Sequence, residues 1–178
     1  MPAFLALLLV AAVIDPRLAG PLQLLVDLHD RDGAAIGAEW ARTPDILLLT
    51  LRVASLPPRA GRYYNPRTRT ITMARTQLAE DPRVVAAGLV HELQHASDFD
   101  LIALGLMDRD CIELEARAFE AQANVTRAFW PDELPSVTDW EKGLAMTVQA
   151  HEAGGLDGLR ALVESVPGYR AETCTAAG

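Results

Sequence analysis

A chain of 178 residues, half of them apolar and 22% charged, has the length and composition of one packed domain under a solvated surface. Its net charge of −8 argues against the basic footprint that phosphate neutralisation requires, so no nucleic acid is expected as a partner. Two cysteines, Cys111 and Cys174, are too few for a disulfide scaffold and lack the paired spacing of a thiolate zinc site.

The chain opens on an apolar run, Met1 to Ile14, as long as a signal-peptide core but without its positive leading region. Export, a membrane association through this run, and packing on the domain as a helix all fit it, which leaves localisation open. Residues 1–20 are therefore set apart as an apolar N-terminal segment, with one domain expected over 21–178. Pro21 to Trp40 reads as a helix that breaks near Gly33, and Asp45 to Val53 as a buried strand ended by Pro57-Pro58. Asn65-Pro66-Arg67 is a turn. Beyond it Thr68, Thr70 and Thr72 alternate with Arg69, Ile71 and Met73, the period-two pattern of a half-exposed strand. Six arginines between Arg52 and Arg75 fit either a solvated hairpin or a basic rim beside a cleft.

The second half reads as helices. Asp81-Pro82 caps and starts one that runs to about Leu104, and Asp110 caps another that ends before Pro131. Thr138 to Glu141 forms a capping box opening a third, with Gly154-Gly155 separating a short helix over 156–164. The expected class is α+β: a mainly helical domain with a small sheet ahead of the 82–104 helix.

That helix carries His91-Glu92-Leu93-Gln94-His95. Residues four apart on an α-helix share a face, so both imidazoles can reach one ion. Glu92 lies roughly 100° round the helix, where it misses the ion but reaches a water beside it, as a general base must. Gly88 and Asp98 share the histidine face. Gly88 would leave room at the metal, and Asp98 would either accept a hydrogen bond from a ligand histidine or sit solvated near the helix end. A catalytic zinc needs a third protein ligand. The next helix offers Glu113, Glu115 and Glu120, and helical geometry alone does not choose among them. His29 and His151 lie far from the motif in sequence. His151, Tyr63, Tyr64 and Tyr169 are weaker candidates for a donor to a developing oxyanion.

HExxH on one helix with a glutamate on the next resembles the gluzincin metallopeptidases, the group of thermolysin-like enzymes. His91-Glu92-Leu93-Gln94-His95-Ala96-Ser97-Asp98, followed by Cys111-Ile112-Glu113-Leu114-Glu115-Ala116, is similar to small single-domain, minigluzincin-like peptidases. Mitochondrial inner-membrane processing peptidases share the HExxHAxD and a later CxExxA, and prenyl-protein-processing peptidases share the ExxA segment. The resemblance covers residues 68–127. It implies a zincin-like fold, bound Zn2+, ligands His91, His95 and Glu113, and Glu92 as general base in the hydrolysis of a peptide or protein substrate. Many gluzincins carry an acidic residue four positions after the ligand glutamate; here that position is Arg117, which keeps Glu115 as the alternative third ligand. The strand over 68–73 would line the cleft and pair with an extended substrate. Cys111 and Cys174 would pair only in an exported protein. The rival reading is a non-catalytic metal-binding or regulatory domain on the same scaffold.

Overall fold

The computed structural model describes residues 12–28, 36–57 and 61–166. Val13–Ile14 (β1) leads through a 3-10 turn into α1 (Ala19–Asp27) and α2 (Ile36–Ile46). Then come β2 (Thr50–Ala54), β3 (Arg62–Asn65) and β4 (Thr70–Ala74), followed by α3 (Pro82–Ala103), α4 (Cys111–Phe129) and α5 (Asp139–Ser165). The class is α+β, helices packed around one small sheet of order β1-β2-β4-β3, with β3 antiparallel to β4 and the other pairings parallel.

The described part of the N-terminal segment expected over residues 1–20 packs on the rest of the chain. Val13 and Ile14 pair with Thr50 and Leu51, and Leu18 is fully buried in the core. Residues 1–11 and Gly33 lie outside the described residues, and no helix among the described residues is long and apolar enough to cross a membrane.

Two strand expectations are corrected. The apolar run from Ile46 to Leu49 is not strand: α2 extends to Ile46 and closes its last turn with Leu47 N–H to Thr43 O and Leu49 N–H to Pro44 O. Leu48 takes a left-handed φ of 52°, and Ile46 and Leu48 are exposed. The Arg69 guanidinium holds this turn by donating to Leu47 O and pairing with Asp100 of α3. The second correction concerns β4, expected to be half-exposed but buried at all five residues. Its Thr72 hydroxyl accepts from Arg52 Nε at 2.9 Å, so a long arginine covers the threonine face where solvent was expected. Ile71 and Met73 face the core.

α3 runs through the middle. Every residue from Val84 to Leu93 is buried, because α1, α4 and β3 all pack on it. The small side chains Ala86, Ala87 and Gly88 permit that close approach. Its start is set locally: Asp81 accepts from the Arg83 N–H at 2.8 Å, and Pro82 occupies the first turn. Asp81→Ala should cost about 1 kcal/mol, lowering the melting temperature by about 2–4 °C in a thermal scan. The Arg83 side chain also holds the Asp81 carboxyl below its usual 3.8. A depressed folded-state value means the carboxylate's contribution is complete above pH 3.8 and fades as the pH falls through the lowered value. The difference between parent and variant should therefore shrink in acid.

α4 is capped by Asp110, which accepts from the Ile112 and Glu113 N–H groups, and lies between α3 and α5. α5 opens on the expected capping box of Thr138 and Glu141. It bends at Gly154 and Gly155, whose φ of 57° and ψ of −139° suit glycine alone.

Candidate metal centre

His91 and His95 stand one turn apart on α3, as the motif spacing requires, with their Nε2 atoms 3.2 Å from each other. A carboxylate from α4 closes the group, and it is Glu115. Its oxygens lie 3.4 Å from each of the two Nε2 atoms, and one ligand atom from each of the three residues falls within a 4.8 Å cluster.

Glu113, the third ligand implied by the resemblance, does not lie beside the two histidines; the carboxylate that does is Glu115, the alternative. Two positions along a helix is about 200° of rotation, so the two glutamates point to opposite neighbours. Glu113 faces α5, where Arg160 binds it through Nε at 2.8 Å and Nη2 at 2.7 Å. Glu120, on the Glu113 face, lies 3.5 Å from His151 of α5. The Glu115 face also carries Phe119 and Gln122, four and seven residues on. Phe119 sets its ring edge against His91, with centroids 4.7 Å apart.

Asp98 does not reach a histidine. It is fully buried, accepting from Gln94 at 2.7 Å and from Arg117 at 3.1–3.2 Å. Arg117 thus supplies the counter-charge for a buried aspartate on α3 and ties α4 to α3 half a turn beyond Glu115. His91 Nδ1 is buried without a hydrogen bond. Gly88 does leave room, but for the Arg62 guanidinium and the Gln77 amide: a Cβ there would sit 3.1 Å from each.

The donor set fits zinc. Two imidazoles and one carboxylate are a recurrent catalytic zinc set, and one Glu115 oxygen is buried with no hydrogen-bond partner. Burial pushes His91 below its usual value, toward the neutral form that ligates a metal. Burial opposes charge on His95 too, but Glu115, with Glu92 and Asp98 nearby, holds it above the usual value. Burial would raise Glu115; the two imidazoles outweigh it and keep the carboxyl well below the usual carboxylate range.

Glu92 is buried on the adjoining face of α3, where its Oε1 lies 3.4 Å from Arg62 Nε. Both residues line a cavity of about 320 Å³ that also touches His91, Phe119, Gln122 and Trp140. Arg62 and its partners Gln77 and Gln122 escaped the sequence reading. The only trace was the arginine cluster, of which this one member reaches the cavity; Arg67 and Arg75 are exposed, and Arg59 lies outside the described residues. Among the described residues, none of the weaker donor candidates is brought here. Tyr63 is exposed and meets Arg52, Tyr64 packs on Phe99, and His151 meets Glu120. His29, Tyr169 and Cys174 lie outside the described residues. Compared with known proteins, the chain matches no family model, no curated protein and no solved structure.

Proposed function

We propose that this chain is a zinc-dependent peptidase of the gluzincin kind, with His91, His95 and Glu115 as metal ligands and Glu92 as general base. The observation that carries the reading is the convergence of those three donors, from two helices, beside a buried glutamate in a cavity. Bound there, zinc would acidify a water and polarise a peptide carbonyl.

Glu92 moves the proton. Its Oε1 faces Arg62, which leaves Oε2 to accept the proton of the attacking water and return it to the leaving amine. Phe119 and Trp140 line the cavity beside Glu92. β3, the edge strand that carries Arg62, is the strand with which an extended substrate would pair; β4 is excluded because β2 and β3 already occupy both its sides. Two histidines and one glutamate would hold zinc with a position left for water, the ligand set of a catalytic site.

Mass spectrometry of the purified protein tests the reading first. One zinc per chain is expected, with none in His91→Ala, together with peptide hydrolysis that a chelator abolishes and zinc restores. A protein that takes up no zinc would sink the proposal. One that holds zinc and cleaves no peptide would move it to the non-catalytic class.

A further inference from the structure

The cavity beside Glu92 has a mixed lining: Val84, Phe119, Trp140, Leu144 and Leu162 are apolar, while Arg62, Gln77, Gln122 and Thr147 are polar. Arg62 is held from three sides. Its Nη2 donates to Gln122 Oε1 at 2.7 Å, its Nη1 donates to the Gln77 amide oxygen at 3.2 Å, and its Nε faces Glu92. Each glutamine is itself fixed: Gln122 donates to Thr147 Oγ1 at 3.3 Å, and Gln77 to Gly61 O at 2.9 Å. Glycine at 88 makes the seat, since any Cβ would crowd the guanidinium. Glycine at 61 lets Trp140 close over it, because a Cβ there would lie 2.1 Å from the indole.

Such a seat is more than a partly buried arginine needs for packing. The two amide oxygens are neutral acceptors and cancel no charge. Among the described residues Glu92 is the one anion at the guanidinium, and at 3.4 Å it makes no hydrogen bond, so Arg62 Nε is buried without a partner. The guanidinium fork has more donors than these contacts use. An oriented and incompletely paired fork, with its Nε buried, in a mostly apolar cavity recognises a carboxylate, which it can grip through two parallel hydrogen bonds.

We propose that this cavity is a substrate subsite that takes a carboxylate on a short apolar stem, with Arg62 as the residue that reads it. The carboxylate comes from an acidic side chain or from the free end of a peptide. Its use in catalysis rests on the peptidase reading; the binding does not.

The test is a calorimetric titration of the full chain, zinc-loaded and chelator-stripped, with three probes: N-acetyl-glutamate amide, N-acetyl-glutamine amide and N-acetyl-glutamine free acid. At least one carboxylate probe should bind about tenfold or more tightly than the neutral diamide, with or without zinc. Preference for the first marks an acidic side chain, and for the third a peptide end. Arg62→Met should lose the preference and Arg62→Lys should recover part of it. Equal affinity for the three probes in the parent, or no binding, overturns the proposal, and neither result depends on a variant folding. A preference that disappears on stripping overturns it too, since the metal would then be the ligand. A protein that prefers carboxylate when stripped yet cleaves nothing when zinc-loaded fails the peptidase reading and leaves the subsite standing.

Discussion

Glu115→Gln will weaken zinc binding by roughly a hundredfold or more, and Glu113→Gln will leave it unchanged. Loss of a ligand should exceed the roughly 10- to 100-fold loss typical of removing a group that merely orients one. The pair is decisive because both residues are glutamates near the start of the same helix and differ in what they face. Glu115 meets the two imidazoles, whereas Glu113 meets Arg160. Competition against a fluorescent chelator reads the difference directly. Glu113→Gln breaks a partly exposed ion pair, whose contribution to stability is at most about 1 kcal/mol, so its fold should survive to be measured. If instead Glu113→Gln released the metal, the assignment of Glu115 would be wrong.

Glu92→Gln carries the second large effect. The variant should keep one zinc per chain, because Glu92 is not among the clustered donors, while kcat falls by about 10²- to 10⁴-fold. An amide of nearly the same shape fills the same space but accepts no proton from water. Its oxygen can still meet Arg62, although the charge opposite the guanidinium is gone, so the melting temperature belongs in the same experiment. Turnover at the parent rate with zinc in place would end the general-base assignment and with it the proposed mechanism.

The local chemistry of the site was legible along the chain. An i to i+4 pair of histidines on a capped helix depends only on helical periodicity, and the helix forms where Asp81 and Pro82 start it. The starts of α4 and α5 and the break at Gly154-Gly155 are equally local, since each rests on a side chain or a backbone conformation within a few residues. The α+β class followed from the same periodicities.

Which residues meet across elements was another matter. α4 is buried against both α3 and α5, so its apolar stripe does not mark one inward face, and two glutamates about 200° apart each meet a partner. Only the packing sends Glu115 to the histidines and Glu113 to Arg160. The run from Ile46 to Leu49 looks like strand because hydrophobic residues favour burial wherever they lie. In the fold it ends a helix, secured by an arginine 22 positions away. The order β1-β2-β4-β3 puts β4 inside the sheet and β3 at its edge, and that order is a matter of pairing partners, not of alternation within a strand. Arg62 became part of the site the same way. Nothing beside it in the chain distinguishes it from five other arginines, and only the approach of β3 to Gly88 brings its charge to Glu92.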